Sequence, residues 1–136
     1  MPRRLINNAG TTSRWAALAI ALLHSLTLPG VAQSDQTWIN GSGIWNTTDP
    51  FWDAATTWTN GNNALFGGAG ETITLSGGIS VNNITFNSSG FILSDPANSG
   101  TLPLASPSII TVTTDGHVAT ISENIATGGI TKQGNG

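Results

Sequence analysis

The chain has 136 residues, of which only 8% are charged, and its formal net charge at pH 7 is −3. Lys132 is the only lysine or arginine after position 32, so no basic patch is available to neutralise nucleic-acid phosphates or to bind an anionic lipid surface. There is no cysteine, which excludes the disulfides that small exported domains often use for stability.

The first predicted element is a cleavable signal peptide over residues 1–32. Three arginines precede or border an apolar stretch at residues 15–28, and Ala32 lies just before the expected cleavage site. The apolar stretch, about 14 residues long, is too short to span a bilayer. After its removal, seven acidic residues and one lysine leave a net charge of −6, and no membrane span is predicted.

Residues 33–62 are rich in tryptophan and are predicted to form a cap region. Glycines and Pro50 lie between the tryptophans and exclude a helix. The indoles are therefore expected in short strands or loops, where they cover one end of a hydrophobic core. The alternative interpretation is an exposed platform on which sugar rings stack. The tryptophans concerned are Trp38, Trp45, Trp52 and Trp58.

Residues 63–136 consist of brief stretches in which apolar and polar residues alternate. This alternation predicts short strands with one apolar face, separated by turns at Gly, Asn, Ser and Asp. Pro103 marks an edge strand or a bend. The predicted inward residues are Ile73, Leu75, Ile84, Phe86, Phe91, Leu93, Leu102, Leu104, Ile110, Val112, Ile121 and Ile130, with either Val118 or Ala119 before Ile121.

Two all-β architectures fit this rhythm of strands and turns. One is a sandwich of short hairpins, and the other is a β-solenoid in which about three short strands make each coil. The solenoid is favoured because the strands are short and because stacked coils satisfy the backbone polar groups without a wide sheet.

Residues suited to catalysis or metal binding are few. Asp49 and Asp53 are spaced like carboxylates that could flank a sugar, but beside Pro50 they are expected to form turns. The segment GGAGETITL is similar to a calcium-binding nonapeptide repeat, yet Thr72 stands where that pattern needs aspartate. His117 is expected at an exposed turn. No catalytic residue, cofactor or metal site is predicted.

Two segments, residues 63–93 and 110–136, together with the tryptophan-rich start, resemble the autotransporter-associated β-strand repeat proteins. In that family a Gly-Gly-aliphatic-Thr-Lys-x-Gly-x-Gly phrase precedes a Thr-Leu-x-Leu strand. The residues that match this phrase are Gly129, Ile130, Thr131, Lys132, Gly134 and Gly136.

The resemblance implies a right-handed parallel β-helix in the passenger of a larger exported protein. It implies following repeats or a C-terminal translocator as the structural partners of this segment in a longer parent chain. Because the matching phrase stands at the end of the sequence, the chain is expected to be truncated, with the repeat region at residues 63–136 cut short.

Three hypotheses about function follow. The first is a non-catalytic, adhesin-like segment at the cell surface, associated with the outer membrane or secreted, that meets a glycan or a host-cell surface. The second is a carbohydrate-binding module that uses the tryptophan-rich region. The third is the N-terminal part of a β-helix enzyme that degrades polysaccharides.

Overall fold

The computed structural model describes residues 33–96, 101–126 and 129–136, in which all regular structure is β-strand. The predicted signal peptide, residues 1–32, lies outside the described residues. The strands are β1 (Asp35–Thr37), β2 (Gly43–Trp45), β3 (Asn63–Phe66), β4 (Thr72–Leu75), β5 (Ile84–Phe86), β6 (Phe91–Ser94), β7 (Leu102–Pro103), β8 (Ser108–Val112), β9 (Ala119–Ser122), β10 (Ile125–Ala126) and β11 (Ile130–Gln133).

These strands form three parallel sheets. The first sheet has the order β1-β3-β5-β8-β11, the second has the order β2-β4-β6-β9, and β7 pairs with β10 in the third. Every pairing therefore joins strands of adjacent coils, and no strand pairs with its neighbour in the sequence. This is a β-solenoid of about four turns, so the predicted all-β solenoid is confirmed and the sandwich is wrong.

The register of the first sheet shows how the coils stack. Ala64 pairs with Ile84, and Ile84 pairs with Ile110, so these two coils are 20 and 26 residues long. Inward residues at equivalent positions lie above one another, as Phe66 and Phe86 do, with their rings stacked at 5.2 Å between centroids. The differences in coil length are taken up by the turns, which leaves the inward columns continuous.

The core consists of the inward side chains of all three sheets. Ile73, Ile84, Leu93 and Leu102 are fully buried, as the alternation predicted. Near the end of the solenoid the burial decreases: Ile110 and Ile121 are partly buried, and Ile130 is exposed. The inward residue before Ile121 is Ala119, because Val118 is exposed.

One corner requires glycine because two coils approach closely there. A Cβ atom on Gly70 would clash with the backbone of Ser89 and Gly90 in the next coil. Gly90 itself has φ +88°, a left-handed conformation that glycine adopts without strain. The glycines in this turn therefore allow the second and third coils to stack.

The first coil begins before the predicted repeat region. β1 and β2 come from residues 33–62 and pair in register with β3 and β4. Part of the stretch predicted as a cap is thus the first coil, and residues 46–62 form a loop between the first and second coils. The described part of the chain contains no helix with the length and apolar character that a bilayer span requires.

Candidate functional site

The four indoles form one cluster at the N-terminal end of the solenoid. Trp45 and Trp52 are completely buried, and Trp38 and Trp58 are 4% and 3% exposed. The ring centroids of Trp52 and Trp58 are 4.5 Å apart, and the ring centroid of Trp45 lies 4.9 Å from each of these two. We call Trp38, Trp45, Trp52 and Trp58 the indole cluster.

This burial bears on the sugar platform that the sequence offered as an alternative. Stacking on a sugar needs an exposed ring face, whereas the indole cluster packs into the core. There it contacts Phe66, whose ring stacks on that of Phe86 in the next coil. Two indole N–H groups, those of Trp45 and Trp52, are buried without a hydrogen-bond partner among the described residues. The cluster is therefore held by ring packing rather than by polar contacts at these two rings.

Residues 46–62, which we call the cap loop, cover the free edge of β1. The Thr37 amide donates to Asp53 Oδ1 at 2.8 Å, and the Asp53 amide donates to the Thr37 carbonyl at 2.7 Å. The Ile39 amide donates to the Phe51 carbonyl at 3.0 Å. The loop thus bonds to the backbone N–H and C=O of Thr37 and to the N–H of Ile39, so it pairs the C-terminal part of this edge.

A buried glutamine holds the second half of the cap loop. Gln36 is 5% exposed, and its Nε2 donates to the Thr57 carbonyl at 3.0 Å. Its Oε1 accepts from the Thr59 amide at 2.8 Å and from Asn62 Nδ2 at 3.0 Å. Every contact of this side chain goes to the loop or to its end, so Gln36 replaces an apolar residue in the inward column with a polar anchor.

The predicted carboxylate pair has structural partners. Asp49 Oδ2 accepts from Asn46 Nδ2 at 2.8 Å, and Asn46 Oδ1 accepts from the Asp49 amide at 2.7 Å, which closes a turn. Asp53 has φ +45° and binds the edge of β1 as described. Both residues shape the cap loop: the Asp49 carboxylate bonds within the loop, and the Asp53 carboxylate bonds the loop to β1.

A second pair of carboxylates arises from the register and was not predicted from the sequence. Ser94 pairs with Ser122, so the residues that follow them, Asp95 and Glu123, lie at equivalent positions of adjacent coils. One oxygen of Glu123, Oε1, is buried without a hydrogen-bond partner in the described ranges. Burial, together with the charge of Asp95, raises the pKa of Glu123 above its usual value.

The outward face of the first sheet carries a shallow groove of about 220 Å³. Several of its polar atoms bond to one another across coils: Asn63 Nδ2 donates to Asp35 Oδ1 at 2.8 Å, and Asn83 Nδ2 donates to Asn63 Oδ1 at 3.1 Å. Asn83 Oδ1 in turn accepts from the Ile109 amide at 2.8 Å. This amide ladder ties four coils together along the solenoid axis.

The C-terminal end of the solenoid lacks a comparable cover in the part of the chain that the structure describes. A cavity of about 210 Å³ opens there beside Phe86, Val112 and Ile121. His117, expected at an exposed turn, is half-buried at this cavity, and its Nδ1 is buried without a described partner.

The residues that match the repeat phrase lie at this end. Ile130, Thr131 and Lys132 belong to β11, the last strand of the first sheet. Lys132 Nζ donates to the carbonyls of Gly134 and Gly136, at 3.0 Å for the first. Gly134 has φ +77°, and a Cβ atom at this position would clash with Val112 in the coil below. The remaining residue of the phrase, Gly129, precedes β11 and accepts from the Ser108 amide.

No group of three or more His, Cys, Asp or Glu side chains in residues 33–96, 101–126 and 129–136 is placed to hold a metal ion. The carboxylates are distributed over β1, the cap loop, the turns and the corner between β9 and β10. Within the described residues, the solenoid has an N-terminal end that the cap loop covers, coils that the amide ladder joins, and a C-terminal end without such a cover.

Comparison with known proteins relates this chain to an autotransporter. It is similar to the adhesin BmaC autotransporter of Brucella suis biovar 1 (strain 1330), with 35% identity over 144 aligned residues. The alignment covers 90% of this chain but 4% of the relative, so the chain spans a small fraction of that protein's length. No protein-family model and no solved structure matches the chain. The predicted resemblance to autotransporter passengers is confirmed by this similarity and by the solenoid fold.

Proposed function

We propose that the chain is a non-catalytic β-solenoid segment of an exported autotransporter-type passenger, with an adhesive role at the bacterial cell surface. The observation that carries the proposal is the 35% identity to an adhesin autotransporter over 90% of the chain. The parallel solenoid supports it, because a solenoid presents a long, regular outer surface while each coil needs contact only with its neighbours.

The placement of the carboxylates supports a structural role rather than a catalytic one. Asp35, Asp53 and Glu71 accept hydrogen bonds from Asn63, Thr37 and Ser42, and each of these contacts links separate segments of the chain. A glycosidase needs two carboxyl groups that face each other across a substrate. In this chain these three carboxylates instead join separate segments, and Asp49 closes a turn.

The similarity also supports a place in a longer chain. The relative extends far beyond the aligned region, and its name identifies it as an autotransporter. Further repeats and a C-terminal translocator in the parent protein are therefore part of this proposal, as is export directed by residues 1–32. A glycan or protein on another cell is the partner that an adhesive role requires.

The proposal is tested in the bacterium that carries the gene. Codons 33–136 are removed in frame, and attachment to cultured cells is measured together with the amount of parent protein at the surface. We expect attachment to fall while the surface amount stays equal, and complementation with the intact gene to restore it. Unchanged attachment, or a protein that intact cells shield completely from added protease, would contradict the proposal.

A further inference from the structure

The groove of about 220 Å³ on the outward face of the first sheet, which we call the sheet groove, has two walls of side chains. In β3, β5 and β8 the residue between the two walls points inward, so the backbone forms the floor. Alternate residues of a strand are roughly 7 Å apart and neighbouring strands about 4.8 Å apart, so the groove is narrow and crosses the coils along the solenoid axis. One wall contains Asn63, Asn83 and Ile109, and the other contains Leu65, Thr85 and Thr111.

The floor of the sheet groove offers no strand edge to a ligand. β3 lies between β1 and β5, β5 lies between β3 and β8, and β8 lies between β5 and β11. A peptide that binds by adding a strand needs an unpaired edge, and these three strands have a partner on both sides. An occupant of the groove must therefore bind to the side chains of the walls.

The amide ladder leaves donors in the groove. Asn63 Nδ2 donates to Asp35 Oδ1, and Asn83 Nδ2 donates to Asn63 Oδ1. A primary amide has two N–H donors, so each asparagine keeps a second N–H that no described residue accepts. Because the ladder already holds both amide groups in place, a ligand that accepts from them loses little additional side-chain entropy.

The opposite wall supplies hydroxyl groups. Thr85 pairs with Thr111, and both are half-buried and make no side-chain hydrogen bond to another described residue. Each hydroxyl can donate one hydrogen bond and accept two. Leu65 and Ile109, also half-buried, add one apolar contact on each wall. The groove thus combines a few fixed polar groups with apolar surface, as small-ligand sites do.

Charge restricts the chemistry of an occupant. Among the described residues that line the groove, Asp35 alone is charged, and no cation lines it. The Lys132 ammonium bonds to the carbonyls of its own turn. A polymer that carries phosphate, sulfate or carboxylate groups would therefore meet repulsion from Asp35 without a compensating cation. An uncharged ligand that is rich in hydroxyl groups fits the walls better.

We propose that the sheet groove binds a segment of a neutral polysaccharide that runs along the solenoid axis. Sugar hydroxyls accept from the two remaining asparagine N–H groups and exchange hydrogen bonds with the two threonine hydroxyls. The C–H faces of the sugar rings contact the two aliphatic wall residues. This inference rests on the proposed function, because it names the class of partner that the adhesive segment binds, and it places that partner on the first sheet rather than on the buried indole cluster.

The first test is an NMR titration of the chain with neutral maltohexaose, cellohexaose and mannohexaose and with an anionic hyaluronan hexasaccharide. We expect at least one neutral sugar, at millimolar concentration or below, to shift the side-chain amide signals of Asn63 and Asn83 until saturation. The hyaluronan fragment should leave these signals unchanged. No saturable shift with any of the neutral sugars, or a shift with hyaluronan alone, would overturn the proposal.

The second test compares Thr85→Lys with Thr74→Lys as a matched control. Both threonines point outward from the middle of a strand, are half-buried and have a paired coil on each side. Only Thr85 lies in the sheet groove, where the longer side chain would occupy the space of the sugar. We expect Thr85→Lys to weaken binding by about tenfold or more and Thr74→Lys to leave it unchanged.

Thr111→Val provides a finer comparison, since it keeps the shape of the side chain and removes one hydroxyl. We expect binding to weaken roughly threefold, as the loss of one hydrogen bond predicts. Equal affinities of the unsubstituted chain, Thr85→Lys and Thr111→Val would overturn the proposal, because a sugar would then bind elsewhere.

The bacterial assay separates this inference from the adhesive role. Sugar binding that Thr85→Lys abolishes, with unchanged attachment after deletion of codons 33–136, refutes the adhesive role and leaves the sheet groove intact. Absence of sugar binding together with reduced attachment refutes the groove alone. Attachment that Thr85→Lys reduces in the parent protein, but that the neutral sugars do not inhibit, would identify a protein as the occupant and would overturn the proposal.

Discussion

At the N-terminal end of the solenoid the cap loop bonds to β1 and the indole cluster fills the core, whereas the C-terminal end of the described residues has an exposed Ile130 and an apolar cavity. The inward column of the first sheet begins at Gln36, whose polar atoms are all used by the loop, and ends at Lys132, which bonds to the carbonyls of its own turn.

The difference shows that the two ends of the described segment are finished in different ways. A coil has two edges, and each must be paired, covered or exposed. Here the sequence between the first two coils supplies a large aromatic cover, and the described residues of the last coil supply only short polar contacts. The polarity of the segment is therefore encoded in the cap loop rather than in the repeating strands.

The largest expected effect comes from Trp52→Ala, because Trp52 is fully buried and its ring contacts those of Trp38, Trp45, Trp58 and Phe66. We expect a loss of about 3–5 kcal/mol in the free energy of unfolding, measured by urea denaturation with circular dichroism. Loss of glycan binding with normal stability would instead indicate a sugar platform.

Trp45→Phe is the matched control for the indole cluster. The Nε1–H group of Trp45 has no partner among the described residues, so phenylalanine removes an unsatisfied donor and keeps most of the ring. We expect a loss of less than about 2 kcal/mol. An effect as large as that of Trp52→Ala would show that the indole N–H is used in a way that the structure does not explain.

The next comparison uses the same substitution at the two ends of one column. Ile73→Ala removes a fully buried side chain in the second coil, and we expect it to cost about 2–4 kcal/mol. Ile121→Ala affects the partly buried side chain of the last coil and is expected to cost less than about 2 kcal/mol. Ile92→Ala, at an outward position that is 39% exposed, serves as the control with little effect. Equal losses at Ile73 and Ile121 would contradict weaker packing in the last described coil.

A smaller effect is expected for Asp53→Ala, which removes the acceptor for the Thr37 amide and places alanine at φ +45°. We expect a loss of about 1 kcal/mol, since one hydrogen bond is affected, and new self-association through the uncovered edge of β1. Asp53→Asn keeps an acceptor and tolerates the positive φ, so its stability and its association should equal those of the unsubstituted chain. Sedimentation velocity measures the association of both variants. Unchanged association of Asp53→Ala would show that the cap loop does not prevent pairing at this edge.

The smallest effect concerns pH and Glu123. Its pKa is raised in the folded chain by burial and by Asp95, so ionisation is less favourable there than in the unfolded chain. This group therefore lowers stability at neutral pH, and the loss develops as the pH rises through and above the ordinary value near 4.5. Glu123→Gln should raise stability at pH 7 and leave it nearly unchanged at pH 3. A lower stability at pH 7 would contradict the assignment.

Much of the fold followed from local pattern. The alternation in β4, β5 and β6 predicted their inward residues because side chains in a strand alternate between its two faces. The preference for solenoid over sandwich followed from strand length, and the expectation of a core cover followed from large rings between turn residues. These features depend on a few neighbouring residues, which a sequence displays directly.

The remaining features depend on register between coils. Asp95 and Glu123 are 28 residues apart, whereas Ala64 and Ile84, also in adjacent coils, are 20 apart. With coil lengths this variable, no fixed period identifies which residues stack. The role of Gln36 was missed for the same reason, because its partners at Thr57, Thr59 and Asn62 lie across a loop whose path the sequence does not reveal.

Residue-resolved amide hydrogen exchange of the chain distinguishes a parallel solenoid with a covered N-terminal end and a less protected C-terminal end from other arrangements. We expect slow exchange in β3 to β6, slow exchange also for the Thr37 and Ile39 amides that bond to the cap loop, and the fastest strand exchange in β9 and β11. Exchange at Thr37 and Ile39 as fast as in β11, or β9 and β11 as protected as β4, would contradict this arrangement.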